Sequence, residues 1–121
     1  SGNDVITGGF GYDSLAGGDG NDIFKKTSPG TDSDGDIVLG GAGFNTILAN
    51  DGADSIDGGA DGDSIVGNDG NDTIFGGSGN DRVSGGGGFD SIFGDSGDDS
   101  LSGGDYADFI SDDLGADTLL G

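Results

Sequence analysis

Single apolar residues recur at every ninth position of this chain, between stretches that are almost entirely polar residues or glycine. The repeat is clearest in residues 67–93, which read as three consecutive nonapeptides, GNDGNDTIF, GGSGNDRVS and GGGGFDSIF. Numbered from its first glycine, each unit has glycine-rich positions one to four, aspartate at position six and an aliphatic residue at position eight. A fixed period of this kind predicts a repeat architecture, in which each unit buries its apolar residue by stacking on its neighbours.

The same period covers nearly the whole sequence. A partial unit fills residues 1–7, two full units fill residues 8–25, and ten uninterrupted units fill residues 31–120. We expect one domain with N-terminal repeats at 1–25, a surface loop at 26–30 and an array at 31–120, cut within a repeat at both ends. Position eight is apolar in every unit: Ile6, Leu15, Phe24, Val38, Ile47, Ile56, Ile65, Ile74, Val83, Ile92, Leu101, Ile110 and Leu119.

This pattern predicts an all-β fold. Nine is not a multiple of the 3.6-residue helical period, and glycine at this density destabilises helices. Positions seven to nine alternate outward, inward and outward, as in Thr73, Ile74 and Phe75, which predicts a three-residue strand followed by a six-residue turn. Two units would make one coil of 18 residues, and stacked coils would form two short-stranded parallel sheets with the position-eight side chains between them.

The charge of the chain makes this fold improbable without a cation. All 24 acidic residues are aspartate, against three basic residues, and the formal net charge is -21. Low hydrophobicity with high net charge is typical of disorder. Coils about 4.8 Å apart would bring each position-six carboxylate close to the one 18 residues away. Two such charges repel by about 3.5 kcal/mol at an effective dielectric constant of about 20, so a source of positive charge is required.

The composition also excludes several classes of function. Binding to nucleic acid or to anionic membranes needs basic patches, and no apolar run approaches the roughly 18 residues that span a bilayer. The chain lacks cysteine and histidine, which excludes disulfides and the usual zinc, copper and haem ligands. A repeated grid of aspartates offers no unique catalytic pair, so we do not expect an enzyme. An EF-hand beginning at Asp32 would need glutamate where Gly43 stands.

Calcium would supply this positive charge, and it accepts six to eight oxygen ligands from carboxylates and backbone carbonyls. The 18-residue coil predicts pairs of ligands from successive position-six residues, which are Asp4, Asp13, Asp22, Asp36, Asn45, Asp54, Asp63, Asp72, Asp81, Asp90, Asp99, Asp108 and Asp117. Pairing them gives about 8 to 11 ions, and around ten would bring the net charge near zero. Mg²⁺ fits less well, since it demands tight octahedral geometry and retains water.

Some units depart from the pattern. Asn45 replaces the aspartate at position six, so the ions beside it are expected to bind more loosely or to be missing. Position four is Asp34, Asp61 or Tyr106 in three units, where glycine is usual. Glycine follows at position five after both aspartates, which predicts a shifted turn. Tyr106 has no such compensation, so its turn is the one expected to deviate most.

At these residues the chain resembles the RTX family, the haemolysin-type calcium-binding repeats, whose nonapeptide reads GGxGxDxUx. The resemblance implies a parallel β-roll, a right-handed β-helix of 18-residue coils, in which position-six aspartates and the carbonyls of positions one to four hold calcium. It implicates the carbonyls of Gly8, Gly9, Gly11, Gly17, Gly18, Gly20, Gly67, Asn68, Asp69, Gly70, Gly76, Gly77, Ser78, Gly79, Gly85, Gly86, Gly87, Gly88, Gly94, Asp95, Ser96 and Gly97.

The resemblance also implies a role and a place. Such a module would belong to a larger secreted or cell-surface bacterial protein, exported by a type I route and folded by external calcium, with flanking domains as its partners. The alternative is a surface-interaction module of an adhesin, a surface-layer protein or a polysaccharide-binding protein. Outward apolar residues at positions seven and nine, which are Ile37, Leu39, Phe75, Phe93 and Phe109, would either pack on a neighbouring segment or form a partner face.

Overall fold

The computed structural model describes residues 1–25 and 32–121, and every regular element in these residues is a β-strand. The strands are β1 (Val5–Ile6), β2 (Ser14–Asp19), β3 (Ile23–Phe24), β4 (Ile37–Ala42), β5 (Thr46–Leu48), β6 (Ser55–Ala60), β7 (Ser64–Asp69), β8 (Thr73–Ser78), β9 (Arg82–Gly87), β10 (Ser91–Ser96), β11 (Ser100–Asp105), β12 (Phe109–Ser111) and β13 (Thr118–Leu120). Within the described ranges, no helix is available that is long and apolar enough to cross a bilayer.

The strands form two parallel sheets, as the repeat predicts. Odd-numbered strands make a seven-stranded sheet in the order β1-β3-β5-β7-β9-β11-β13, and even-numbered strands make a six-stranded sheet in the order β12-β10-β8-β6-β4-β2. Each strand therefore pairs with the strand two units away, which confirms the 18-residue coil. The chain winds as a β-solenoid of about six turns, consistent with a β-roll.

The register changes once along the chain. Ser91 pairs with Phe109 and Ser55 with Thr73, a step of 18 residues, whereas Ser14 pairs with Ile37, a step of 23. The five extra residues match the interruption at 26–30, which lies outside the described residues along with residue 31. The coils on either side keep the same register, so the position-six residues stay aligned across the insertion.

The strands are longer than the three residues predicted from the sequence. Most run for six residues, from position seven of one unit to position three of the next, so the turn is confined to positions four to six. The pairing skips position one: Phe93 pairs with Phe75 and Asp95 with Gly77, while Gly94 and Gly76 have no place in the ladder. The sequence pattern did not reveal this second half of each strand, because glycine carries no side chain to show alternation.

The position-eight residues form a single column of core between the sheets. Ile56, Ile74 and Ile92 are completely buried, and Leu101 is 1% exposed. Burial is incomplete toward both ends of the column. The partly buried residues are Ile6, Leu15 and Ile110, and Leu119 is 49% exposed. The terminal coils of a stacked array have a neighbour on one side only, which leaves their inward residues incompletely covered.

Positions two and four carry left-handed backbone conformations in successive coils, as at Gly77 (φ 104°) and Gly79 (φ 126°). Asp61 and Tyr106 occupy position four with φ values of 70° and 82°. The expected shift of the turn at Asp61 and deviation at Tyr106 are therefore wrong. Stacking against the neighbouring coils holds these turns in the common geometry, although non-glycine residues adopt it at a cost. Asp34, the other aspartate at position four, has no positive φ, so its turn does depart from the common geometry.

Candidate metal centre

Position-six side chains form two rows, one along each edge where the chain turns between the sheets. Within a row, the backbone N–H of one residue donates to Oδ1 of the residue one coil further on, at 2.6 to 3.0 Å. The structure brings together all eleven pairs: Asp4 with Asp22, Asp13 with Asp36, Asp22 with Asn45, Asp36 with Asp54, Asn45 with Asp63, Asp54 with Asp72, Asp63 with Asp81, Asp72 with Asp90, Asp81 with Asp99, Asp90 with Asp108 and Asp99 with Asp117.

The second oxygen of most of these carboxylates has no partner. Among the described residues, the buried Oδ2 atoms without a hydrogen bond are those of Asp13, Asp22, Asp32, Asp54, Asp63, Asp72, Asp81, Asp90, Asp99, Asp108 and Asp112. A buried polar atom of this kind loses its hydration on folding and gains no hydrogen bond, which destabilises the folded state. Nine of these eleven atoms belong to position-six aspartates, and their repetition indicates that a ligand with positive charge belongs beside them.

The surroundings disfavour ionised carboxylates. Burial raises the pKa of Asp72 from the ordinary 3.8 to about 7, with a further increase from the charges of Asp54 and Asp90. Burial likewise raises the pKa values of Asp54 and Asp63 to about 6. The hydrogen bond from the backbone of Asp54 lowers the pKa of Asp72, but burial is the stronger effect.

Position-one glycines leave open the space into which these oxygens point. A Cβ added to Gly67 would clash with Oδ2 of Asp72 and would lie 2.7 Å from the carbonyl oxygen of Gly85. The same arrangement, with a position-six Oδ2 and the position-one carbonyl of the next coil, recurs at Gly17, Gly58, Gly76 and Gly85. We name this space the position-one cradle. In these five units the nearest polar atoms are all oxygens.

The residues of the cradle fit calcium. A carboxylate oxygen without a hydrogen bond and a carbonyl oxygen outside the strand ladder are the hard ligands that calcium takes, and cysteine or histidine ligands for softer metals are missing from the sequence. A bound divalent cation would supply positive charge between like-charged coils. The protein contributes the alignment of the two coils, since each Oδ1 is already fixed by a backbone N–H.

Two asparagines place an amide where other units place only oxygen. Nδ2 of Asn45 donates to the carbonyl oxygen of Gly58 at 3.3 Å and lies in the cradle of Gly40. Nδ2 of Asn50 donates to Oδ2 of Asp36 at 3.1 Å, so Asp36 is not among the carboxylates with a partnerless buried oxygen. An amide N–H thus meets the hydrogen-bonding need that a cation would meet elsewhere. Asn50 has no counterpart in the sequence prediction.

Five of the carbonyls implicated by the sequence have two kinds of surroundings. Those of Gly76, Gly85 and Gly94 line cradles, whereas those of Gly87 and Ser96 accept backbone N–H bonds from Gly70 and Gly79, each one coil earlier. The structure adds the cradle carbonyls of Gly40, Gly58 and Gly103, which the sequence prediction omitted. Their shared position one was the available signal.

Two buried carboxylates outside position six were also missed. Asp32, at position two, is 3% exposed and its Oδ2 has no partner. Asp112 stands at position one, where other units carry glycine, alanine or threonine, and lies with Asp99 and Asp117 in a cluster whose ligand atoms are all within 4.8 Å of one another. A charged residue at a position otherwise reserved for small residues was the signal for Asp112.

The five residues proposed as a partner face lie on the outside of the six-stranded sheet, in two separate groups. Phe75 and Phe93 stack with ring centroids 4.9 Å apart, and Phe109 tilts against Phe93 at 5.7 Å. Leu39 pairs with Asp57, which pairs with Phe75, so a carboxylate separates the aliphatic pair Ile37 and Leu39 from the aromatic row.

Comparison with known proteins agrees with this geometry. A search of curated proteins found no match for the chain. The family model of the RTX calcium-binding nonapeptide repeat matches in four copies, at residues 1–24, 31–65, 57–92 and 93–121. These matches cover nearly the whole sequence and coincide with the coils and their rows of carboxylates. The chain therefore belongs to the family of RTX calcium-binding nonapeptide repeats.

Proposed function

We propose that this chain is a calcium-dependent folding module of a larger secreted bacterial protein. It would stay unfolded in the calcium-poor cytosol and fold into a rigid scaffold once it meets external calcium, which couples folding to secretion. The observation that carries the proposal is the set of nine buried, partnerless Oδ2 atoms at position six, in a chain with three basic residues. We also propose that the module has no catalytic role, because its carboxylates repeat as equivalent pairs.

The electrostatics support a switch and not merely a stabilised fold. Without a cation, folding would bury these carboxylates in two rows of like charge, and the raised pKa values of Asp54, Asp63 and Asp72 express that cost. The unfolded chain keeps the same groups hydrated and far apart. Because the cations bind only the aligned coils, their binding free energy becomes folding free energy.

The cradles indicate sites that are assembled only on folding. Each one combines an Oδ2 atom with a position-one carbonyl of the next coil, as Asp81 does with Gly94, so neither coil holds a complete site. Binding is therefore expected to be cooperative along each edge. We propose about 8 to 11 ions per chain, with position-six residues as the carboxylate ligands.

Circular dichroism tests this proposal. The 121-residue chain in EDTA should give the spectrum of a disordered protein and a large hydrodynamic radius, and calcium should produce a β spectrum and a compact chain. Mg²⁺ at the same concentration is the matched control and should have little effect. A chain that is equally compact in EDTA and in calcium would refute the folding switch.

The aromatic row favours a second candidate function, a surface-interaction module. Phe75, Phe93 and Phe109 form a continuous aromatic surface on one sheet face, and such a surface suits a sugar ring or another apolar face. A glycan array and a self-assembly assay on the calcium-loaded chain would test it. Binding that survives Phe75→Ser and Phe93→Ser together would exclude this surface.

A further inference from the structure

We propose that Asp112 is a third carboxylate ligand of the metal site formed by Asp99 and Asp117, and that this site holds trivalent cations in preference to calcium. The inference rests on the proposed function, since it assumes that the coils bind cations. It concerns a residue outside position six, and it predicts one site whose chemistry differs from that of the others.

The position of Asp112 in its unit places its side chain where a backbone carbonyl lies elsewhere. In the cradle of Gly76, a Cβ would stand 2.6 Å from Oδ2 of Asp81 and 3.0 Å from the carbonyl oxygen of Gly94. In the cradle of Gly94, the corresponding neighbours are Oδ2 of Asp99 at 2.7 Å and Oδ2 of Asp112 at 2.6 Å. The cradle of Gly94 therefore holds a carboxylate oxygen of Asp112 where the cradle of Gly76 holds a neutral carbonyl oxygen.

The three carboxylates are close enough to share one ion. Their ligand atoms all lie within 4.8 Å of one another, and the N–H of Asp99 donates to Oδ1 of Asp117 at 3.0 Å. Calcium–oxygen distances of about 2.3 to 2.6 Å allow two ligands of one ion to stand up to about 5 Å apart. Lanthanide ions are hard cations of similar size, so the same spacing suits them.

The partners of these side chains separate the cluster from an ordinary group of surface acids. Asp99 is 3% exposed, and its Oδ2 has no hydrogen bond. Asp112 accepts the N–H of Asp113 with Oδ1 at 2.9 Å, while its Oδ2 is buried and also without a partner. Two partnerless oxygens thus converge on the same point in the cradle, where like charges repel unless a cation lies between them.

The charge of the site sets its preference. A site between two position-six aspartates carries a formal charge of -2, whereas Asp99, Asp112 and Asp117 together carry -3. The Coulomb attraction of a cation scales with the product of the charges, so the third carboxylate favours a trivalent ion over a divalent one. One site per chain should therefore retain a lanthanide in the presence of excess calcium.

Terbium titration of the calcium-loaded chain tests the assignment, with Tb³⁺ luminescence lifetime and equilibrium dialysis as readouts. The unmodified chain should bind one Tb³⁺ much more tightly than the rest. Asp112→Asn should weaken that ion by about 10-fold to 100-fold, the effect of losing one charged partner. The neighbouring variant Asp113→Asn removes the same charge from an exposed side chain and should change the affinity by less than about 2-fold.

A second variant guards against a folding defect. Asp112→Gly restores the residue that most units carry at position one, so it should fold in calcium and lose only the tight Tb³⁺ site. Equal weakening by Asp112→Asn and Asp113→Asn, or no weakening by Asp112→Asn, would overturn the inference while calcium-dependent folding stands. If the unmodified chain gains no β spectrum with calcium, the proposed function itself fails.

Discussion

The backbone N–H of Asp72 donates to Oδ1 of Asp90 at 2.9 Å, while Oδ2 of both side chains is buried without a partner. One oxygen of Asp90 thus fixes the register between two coils, and the other is left for a ligand. The same division of labour recurs along both edges. Most position-six aspartates are at once a structural link and a candidate calcium ligand, and substitutions can separate the two roles.

Asp72→Asn should cost the chain one calcium ion without preventing folding. The amide keeps Oδ1 for the N–H of Asp54 and replaces Oδ2 with an N–H₂ group that can donate to the carbonyl of Gly85, as Asn45 does to Gly58. Calcium stoichiometry from equilibrium dialysis checks this. Asp57→Asn, on the exposed face of β6, removes the same charge and should leave the stoichiometry unchanged. Equal losses in both variants would show that bulk charge, and not the site, is responsible.

Asn45→Asp should have the opposite effect. The substitution removes the amide from the cradle of Gly40 and adds a second carboxylate oxygen there, so at least one further calcium ion should bind. It should also make the calcium-free fold less stable, because it buries another negative charge. Calorimetric titration with calcium measures the first effect. The second is measured without calcium, as a lower pH at which the chain gains its β spectrum. An unchanged stoichiometry would indicate that the sites beside residue 45 are already filled.

The calcium-free fold should become more stable as the pH falls from about 7 toward 4. The raised pKa values of Asp54, Asp63 and Asp72 mean that the folded state binds more protons than the unfolded state in this window. Its stability therefore falls as the pH rises through these values. Circular dichroism of the calcium-free chain should show more β structure at pH 5 than at pH 7.5. A flat or opposite profile would contradict the burial of these groups.

The column of position-eight residues should be as important as the metal. Ile74 is completely buried, so Ile74→Ala should lower the free energy of unfolding in calcium by about 2 to 5 kcal/mol. The adjacent Phe75 is 37% exposed on the outer face, and Phe75→Ala should cost less. Urea denaturation at saturating calcium compares the two. The reverse order would mean that the aromatic row carries more stability than the core.

The spacing of the repeat was enough to predict much of the fold and the pairing of the candidate ligands. Position eight predicted the core because it is apolar in every unit, and the space between the two sheets is where such residues can be buried. Position six predicted eleven contacts because residues one coil apart must stack in parallel sheets. These inferences depend on periodicity, which does not require knowledge of the turn conformation.

Local details that depend on neighbours in space were harder to predict. The strand extends beyond position nine because adjacent coils pair again at positions two and three of the next unit, although glycine shows no alternation. The φ of 82° at Tyr106 follows from the stacked coils and contradicts the preference of a non-glycine residue. Asn50 donates a hydrogen bond to Asp36 of the preceding coil, and the repeat pattern does not predict this contact.

The sequence by itself determined the 18-residue coil, the two rows of aspartates and the need for a cation, because period and net charge are properties of the chain. Only the tertiary structure decided how each carboxylate uses its two oxygens, and which cradles hold an amide or a third carboxylate. The physical reason is that hydrogen bonding between coils assigns Oδ1 to a backbone N–H and leaves Oδ2 buried. That assignment exists only when residues 18 apart in sequence are brought into contact.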